Sequence, residues 1–256
     1  MTKRINKDTQ VCMSLAARPS NFGTRFHNYL YEALDLNYLY KAFSPTDLTQ
    51  AISGVRGLGI RGCAISMPFK EACIPLVDEL DASAKEYNTD YIAIARLLAN
   101  YKVSPDQVFA LRGSGGMAKA VACALKDAGF TRGYIVAIDE ASGKQLAELY
   151  GYEWRPDTDG IEADLLINAT PIGMAGGNDA DKLSYSEQEV DKASVIFDVV
   201  ALPPVTPLIR YARERGKTVI IGSEVFAIQA VEQFVLYTGI RPDDALFQKA
   251  AAWSRL

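Results

Sequence analysis

The stretch Val108-Phe109-Ala110-Leu111-Arg112-Gly113-Ser114-Gly115-Gly116-Met117-Ala118 passes from an apolar run through glycines into a segment with helical periodicity. This order predicts a β-strand, a tight turn and a helix. The spacing Gly113-x-Gly115-x-x-Ala118 matches a phosphate-binding fingerprint whose third small residue lets helix and strand approach closely. Backbone N–H groups at such a helix start point at one spot, where the helix dipole favours negative charge. We therefore expect residues 113–118 to bind the pyrophosphate of a dinucleotide, against the alternative of a plain tight turn.

The rest of the second half repeats this strand–helix unit. Near-continuous apolar runs separated by helical patterns predict a parallel sheet that helices cover on both faces, as in a doubly wound Rossmann domain. The predicted strands are Gln107–Leu111, Gly133–Ile138, Asp164–Asn168, Val195–Val199 and Thr218–Ile221. Two helices, about Val225–Tyr237 and Pro242–Trp253, close the chain.

The first half also alternates short β-rich and helical runs. Its predicted strands are Gln10–Leu15, Tyr38–Phe43 and Cys63–Met67, and its predicted helices are Phe26–Leu34 and Leu48–Leu58. A helix from about Asp90 to Asn100 leads into the second half. The predicted fold class is therefore α/β with two domains: an N-terminal α/β substrate domain (1–100 with 224–256) and a doubly wound Rossmann dinucleotide-binding domain (101–223). We expect ligands to bind in the cleft between them.

Composition narrows the class of partner. The 256 residues are 49% hydrophobic and carry a net charge of −4, which argues against nucleic acid or a membrane surface as a partner. No apolar run reaches the roughly 20 residues of a membrane span, and no signal-peptide core follows the basic N-terminus. We expect a cytoplasmic protein that binds a small-molecule substrate. The sequence predicts no oligomeric state, since it has neither heptads nor a distinctive patch.

Neither the cysteines nor the single histidine indicates a metal site. Cys12, Cys63, Cys73 and Cys123 lie far apart in apolar surroundings without a CxxC pair, so buried reduced thiols are expected. His27 lies on an amphipathic helix pattern, where a structural role is favoured. The sequence supports neither a zinc cluster nor a Ser-His-Asp hydrolase.

Asp139 directly follows the second predicted Rossmann strand, where an acidic residue often binds the adenosine ribose 2′-hydroxyl. A carboxylate there repels a 2′-phosphate and so favours NAD over NADP. The alternative, of equal weight, is a solvated acid that caps the next helix. Lys144, one helical turn further, could still attract a phosphate.

Two charged residues of the first half stand at predicted helix starts. Pro68 suits a first helical position, which places Lys70 in the first turn, where a cation opposes the helix dipole. That unfavourable place suggests a role other than structure, although an exposed lysine without a role is the alternative. Asp90 follows Asn88-Thr89 at the start of the connecting helix, and capping alone explains both Thr89 and Asp90.

Six blocks in order make the chain resemble the shikimate/quinate dehydrogenase family along nearly its whole length. They are Ala64-Ile65-Ser66-Met67-Pro68-Phe69-Lys70, Asn88-Thr89-Asp90, Gly113 to Ala118, Asn168-Ala169-Thr170-Pro171-Ile172-Gly173-Met174, Pro203-Pro204-Val205-Thr206-Pro207-Leu208 and Gln229-Ala230-Val231-Glu232-Gln233-Phe234. The resemblance implies reversible hydride transfer between NAD or NADP and shikimate, or quinate, without a metal.

The same resemblance implies roles for individual residues. Lys70 would be the catalytic acid/base, and Asp90 would orient it and the reacting hydroxyl. Ser66 and Gln229 would bind substrate hydroxyls. Thr170 and Val225 would line the nicotinamide side of the cleft.

The chain also departs from the family pattern. The paired serines that grip the substrate carboxylate have no clean copy, and Ser20 and Thr24 are the nearest substitutes, with Ser14 a weaker one. Ala64 stands for an asparagine, Ala201 for a tyrosine and Ile138 for the arginine that clamps the adenosine phosphate. These changes favour the shikimate dehydrogenase-like branch.

The segment around Lys85 and Glu86 is shorter than in the family. Either the chain has a deletion there, or the sequence as given skips a loop; we favour the second, because losing a strand pair would expose a sheet edge.

Three other functions stay open: a dehydrogenase of another small hydroxy acid, a dinucleotide and metabolite sensor without turnover, and, less favoured, a folate-handling dehydrogenase. Intact Lys70 and Asp90 argue against the sensor.

Overall fold

The computed structural model describes residues 5–79 and 89–255. The chain forms two compact units, unit 1 (Met1–Lys85 with Ala230–Leu256) and unit 2 (Glu86–Gln229). The shortened segment at Lys85–Glu86 and the Asn88 of the predicted helix start lie outside the described residues. None of the helices in the described part of the chain combines the length and apolarity that crossing a bilayer requires.

Unit 1 contains a three-stranded parallel sheet in the order β2-β1-β3. Its strands are β1 (Gln10–Leu15), β2 (Tyr38–Phe43) and β3 (Gly62–Ile65). Its helices are α1 (Phe22–Ala33), α2 (Leu48–Gly57), α3 (Phe69–Ala72), a 3-10 turn (Ile74–Leu76) and the C-terminal helix α10 (Asp244–Ser254), which packs on α1. Met13, Leu15 and Ile52 form an apolar core between the sheet and α2. The three predicted strands and two predicted helices of this half are therefore present; β1 and β2 have the predicted ends, and those of β3, α1 and α2 are shifted.

His27 lies fully buried in an aromatic cluster of unit 1. Its ring stacks on Tyr40 with centroids 4.2 Å apart and lies 6.2 Å from the ring of Phe234. Burial lowers the pKa of His27 to about 3, an effect that the neighbouring Gln233 side chain partly offsets. The histidine is thus a neutral core residue, as its helical pattern predicts. All four cysteines are free thiols.

Unit 2 is built on a six-stranded, fully parallel sheet in the order β6-β5-β4-β7-β8-β9, which is the order of a doubly wound fold. Its elements are α4 (Thr89–Asn100), β4 (Phe109–Arg112), α5 (Gly116–Asp127), β5 (Gly133–Val136), α6 (Glu140–Tyr150), β6 (Glu153–Arg155), β7 (Leu165–Asn168), α7 (Glu187–Lys192), β8 (Val195–Asp198), α8 (Pro207–Glu214), β9 (Thr218–Ile221) and α9 (Gly222–Thr238). Residues of α9 from Ala230 onward are grouped with unit 1. The predicted fold class is confirmed.

Several predicted boundaries were wrong for identifiable reasons. Strand β3 ends at Ile65 instead of Met67, because the Ser66 carbonyl accepts from Phe69 N–H in a turn at 2.8 Å. Strand β5 ends at Val136, since Asp139 already caps the next helix. The edge strand β6 was not predicted. It has only three residues, of which Trp154 alone is partly buried, and this is too short to show a strand period in the sequence.

We predict that unit 1 loses stability as the pH falls from 7 to 5. The unfolded chain takes up a proton near the ordinary histidine pKa of 6.5, whereas folded His27 does so only near 3. The free energy of unfolding should therefore drop by about 2 kcal/mol over this window. Urea unfolding at the two pH values measures it.

The control is His27→Phe, which removes the only histidine of the chain and keeps an aromatic ring in the cluster. All carboxylates are shared by the two proteins, so the difference between their pH slopes isolates His27. Equal slopes in both proteins would contradict the prediction.

Candidate active site

The glycine turn between β4 and α5 has the backbone geometry that the fingerprint predicts. Gly113 has φ +122°, and a Cβ at this position would lie 2.9 Å from the carbonyl oxygen of Ala169. Its N–H donates to the Val136 carbonyl at 2.8 Å. A side chain at position 113 would thus be strained in conformation and would collide with backbone. The position requires glycine for structural reasons alone.

Gly115 and Gly116 differ from Gly113, because nothing lies within 4 Å of a Cβ built on either one. Gly115 precedes the first residue of α5 in an extended conformation that other residues adopt. Ala118, in the first turn of α5, is fully buried. The start of α5 therefore faces open space on one side and packs closely on the other, which is the arrangement that a pyrophosphate needs. Ser114 and Met117 complete this turn and the first helical turn.

Asp139 caps α6, and its carboxylate accepts from Ser142 N–H at 2.8 Å. These hydrogen bonds from Ser142 lower the pKa of the Asp139 carboxyl. The Ser142 hydroxyl lies 2.8 Å from the hydroxyl of Ser114 in the glycine turn. The structure thus shows the capping role, and it also brings the Asp139 cap next to the predicted phosphate site.

Lys144 does not stand free beside Asp139. Its ammonium forms an ion pair with Glu140 at 2.7 Å and lies 5.1 Å from the ring centre of Trp154. Ile138, which replaces the arginine of the family pattern, is exposed. The cationic group that a 2′-phosphate would need is therefore already paired at Lys144 and missing at position 138.

Thr170 lies in a turn directly after β7. Both its N–H and its hydroxyl donate to the Asn168 side-chain oxygen, at 3.1 and 2.6 Å. The turn touches the glycine loop, because Ala169 N–H donates to the Arg112 carbonyl at 2.8 Å. The structure therefore brings the predicted nicotinamide-side threonine next to the predicted pyrophosphate site.

Asp90 and Gln229, which are 139 positions apart in sequence, are hydrogen-bonded to each other. Asp90 is buried in the first turn of α4, and the Gln229 amide on α9 donates to its Oδ1 at 2.6 Å. Val225 lies one helical turn before Gln229 and is fully buried. The sequence predicts both polar residues in the site but gives no sign that they bond to each other.

Gly222 explains where α9 begins. A Cβ at this position would lie 2.4 Å from the backbone of Val199 and Val200, which follow β8. Only glycine lets the start of the helix approach the end of the strand so closely. This approach fixes the position of α9, and hence of Val225 and Gln229, against the edge of the unit 2 sheet.

The remaining predicted site residues belong to unit 1. Lys70 and Ser66 are both exposed, Lys70 on α3 and Ser66 after β3. Pro68 precedes α3 instead of occupying its first position, and the helix has only four residues, so Lys70 lies in its last turn as well. The dipole argument for Lys70 was therefore wrong, because a single turn has no separate N-terminal end.

Ser20 and Thr24 differ in what they offer. The Ser20 hydroxyl accepts from Phe22 N–H at 3.3 Å, which fixes it in the turn before α1. Thr24 lies on α1 and lines a surface depression together with Tyr29 and Trp253. Their predicted role as carboxylate ligands stays a prediction.

Sequence reasoning gave no role to Asp198 or Thr206, two fully buried polar residues of unit 2 that hydrogen-bond to each other at 2.6 Å. An aspartate that ends the apolar run Val195-Ile196-Phe197 was the available signal. In the part of the chain that the structure describes, no group of three or more His, Cys, Asp or Glu side chains could hold a metal ion.

Comparisons with known proteins agree with this architecture. Residues 22–89 match the family model described as the shikimate dehydrogenase substrate binding domain. The chain is 51% identical to a shikimate dehydrogenase-like protein of Haemophilus influenzae, with 98% of each chain covered.

Two solved structures show the same fold. A shikimate 5-dehydrogenase-like protein has a TM-score of 0.91 and 51% identity, with 99% of this chain and 100% of the other covered. Shikimate 5-dehydrogenase of Thermus thermophilus, in complex with NADP(H) and shikimate, has a TM-score of 0.83 and 25% identity, with 96% and 99% covered. The predicted resemblance is confirmed. The prediction that the cofactor is NAD or NADP agrees with the NADP(H) in the Thermus thermophilus complex.

We predict opposite effects for alanine at two glycines of the turn. Gly113→Ala should destabilise unit 2 by about 1–3 kcal/mol, because φ is strained and Cβ collides with Ala169. Gly115→Ala should lower the melting temperature far less, because alanine is only a somewhat poorer N-cap and its Cβ meets nothing within 4 Å. It should weaken dinucleotide binding at least tenfold, because its methyl occupies the space where we expect the phosphate. Thermal unfolding and fluorescence titration with NAD and NADP measure the two effects. A Gly115→Ala protein that binds normally would argue against the phosphate site.

Proposed function

Since the chain belongs to the shikimate dehydrogenase family, we propose that it catalyses reversible hydride transfer between a nicotinamide dinucleotide and shikimate, or the related acid quinate. The product of oxidation is the 3-dehydro acid. Lys70 and Asp90 are the proposed catalytic residues. Ser66 and Gln229 are proposed to bind the substrate hydroxyls, with Ser20 and Thr24 near the substrate carboxylate.

The hydrogen bond between Gln229 and Asp90 is the observation that carries this proposal. It joins two of the six sequence blocks at a buried carboxylate, with a donor–acceptor distance of 2.6 Å. An amide has two donor hydrogens and an acceptor oxygen, so Gln229 can contact both Asp90 and a substrate hydroxyl. The first turn of α4 favours an acid at Asp90, whereas half-buried Gln229 lies inside α9, where no helix end explains its polarity.

The chemistry follows from charge. When bound, the dinucleotide supplies the hydride in reduction and takes it up in oxidation. In reduction the substrate carbonyl oxygen gains negative charge, and the Lys70 ammonium stabilises this oxygen and gives it a proton. In oxidation Lys70 takes the proton back from the hydroxyl. The role proposed for Asp90, as the family resemblance implies, is to orient the lysine and the reacting hydroxyl for this transfer.

We also propose that Asp139 makes the enzyme prefer NAD. A carboxylate one residue before α6 suits the two ribose hydroxyls, and it repels the 2′-phosphate of NADP. The ion pair of Lys144 with Glu140 and the exposed Ile138 support this choice, because neither offers a free cation to a phosphate.

A second candidate is a dehydrogenase of a different small hydroxy acid that uses the same Lys70 and Asp90. The observation in its favour is that the paired serines of the family pattern have no clean copy in residues 18–24 of this chain. A steady-state panel of shikimate and quinate against NAD and NADP separates the two candidates. Tight ligand binding without turnover would favour a non-catalytic sensor.

We predict that Lys70→Ala lowers kcat for shikimate oxidation at least 100-fold, the usual contribution of a positioned acid/base. Dinucleotide affinity should stay the same, because Lys70 acts on the substrate oxygen. Steady-state kinetics and dinucleotide titration measure the two quantities. Lys249→Ala, at an exposed position of α10 in the same unit, is the control and should behave as wild type. Unchanged turnover in Lys70→Ala would refute the assignment.

We predict that Asp139→Ser raises kcat/KM for NADP relative to NAD at least tenfold. Serine is an equally good helix cap, so this variant removes the charge and keeps α6 stable. Asp139→Ala removes both and should in addition cost about 1 kcal/mol of stability. If the cofactor preference is the same in all three proteins, Asp139 is a cap and nothing more.

A further inference from the structure

Asp198, the last residue of β8, is a buried carboxylate with three described hydrogen bonds. Its Oδ1 accepts from the Asn168 amide and from Val200 N–H, each at 3.0 Å. Its Oδ2 accepts from the Thr206 hydroxyl at 2.6 Å. Burial raises the pKa of Asp198 to about 6, and these three donors work against that rise.

Among the described residues, the hydrogen-bond partners of Asp198 are all uncharged, which makes the buried carboxylate costly in free energy. A buried charge without an opposite charge loses solvation that neutral donors replace only in part. Apolar residues in place of both Asp198 and its side-chain partners would fill the same space without this desolvation cost. The position of the carboxylate therefore needs an explanation other than stability.

That explanation lies in what Asn168 does with its other atoms. Its amide donates to the Ile172 carbonyl at 3.1 Å as well as to Asp198. Its oxygen accepts both from Thr170 N–H and from the Thr170 hydroxyl. Asp198 thus fixes the Asn168 amide plane, and that plane fixes the turn that carries Thr170.

The same carboxylate acts on two further segments. Thr206 uses its hydroxyl both to donate to Asp198 and to accept from Ile209 N–H at 3.2 Å, which caps α8. Val200 N–H bonds to Asp198 at the point where the backbone receives Gly222, the first residue of α9. Three segments that follow the strands are therefore held by one side chain.

We propose that Asp198 is a positioning residue for the nicotinamide half of the bound dinucleotide, acting through Asn168 on Thr170. This inference rests on the proposed function insofar as Thr170 is taken to face the nicotinamide. The adenosine half is proposed to bind at Asp139 and the glycine turn, whose described side-chain hydrogen bonds go to Ser142 and not to Asp198, Asn168 or Thr170. Loss of Asp198 should therefore weaken the binding of the nicotinamide half of the cofactor and leave the binding of the adenosine half unchanged.

The test compares intact dinucleotide with a fragment that lacks nicotinamide. In Asp198→Ala the Kd for NAD should rise at least tenfold, whereas the Kd for ADP should change less than twofold. Isothermal titration calorimetry without substrate measures both. Asp198→Asn keeps an acceptor for Asn168 and Val200, and the Thr206 hydroxyl can rotate to accept from the new amide. This variant should stay within about threefold of wild type for both ligands.

A milder pair covers the case in which Asp198→Ala does not fold. Thr206→Val removes the bond to Oδ2, and Thr206→Ser keeps it. Thr206→Val should weaken the binding of NAD and leave the binding of ADP unchanged. Thr206→Ser should weaken the binding of neither ligand.

Equal weakening of NAD and ADP in a folded variant would overturn the proposal, and so would unchanged NAD binding in both Asp198→Ala and Thr206→Val. Because no substrate is present, a wild-type protein that binds NAD but does not oxidise shikimate would end the proposed function and leave this inference standing.

Discussion

The six parallel strands of unit 2 end in one row, and this register determines where every functional segment of the unit starts. Neighbours across the sheet pair Arg155 with Val136, Val136 with Arg112, Arg112 with Asn168, Asn168 with Asp198, and Asp198 with Ile221. The glycine turn, the Thr170 turn and α9 each begin directly after a member of this row. Ligands of open α/β sheets bind outside this edge where the strand order reverses, here between β4 and β7. A slip of one residue in any strand would turn its last side chain to the other face of the sheet.

Much of this fold could be predicted because its signals are local. Residues 108–118 alone contain the apolar run, Gly113 and the start of the helical pattern, and the structure has the predicted turn there. The edge strand β6 could not be predicted, since three residues with one half-buried side chain leave no period. The Asp198 hydrogen bonds could not be predicted either, because Asn168 lies 30 positions away in sequence. No local pattern indicates which buried polar groups will meet.

Asp139 shows why two interpretations of one residue can be equally good from sequence. A helix N-terminus favours an acid because of its free N–H groups and its dipole. A ribose placed beyond the second strand also favours an acid, at the same position. The structure shows the cap, through Ser142 N–H, and shows that the Ser142 hydroxyl reaches Ser114 of the glycine turn. Capping and ligand selection are therefore compatible roles of one carboxylate, and only a change that separates charge from capping can distinguish them.

The turn at residues 168–170 illustrates how loops at such an edge acquire a single conformation. Strand residues are held by backbone ladders, and the last bond of this ladder runs from Ala169 N–H to the Arg112 carbonyl at 2.8 Å. Asn168 replaces the ladder with side-chain bonds of 2.6 to 3.1 Å to Thr170 and Ile172. An amide has two ends that can exchange roles, so its orientation depends on the atom that faces it. Asp198 Oδ1 accepts from Val200 N–H and from the Asn168 NH₂ group, so it presents an acceptor to this amide. The orientation of the amide, and with it the Thr170 turn, is fixed by that buried acceptor.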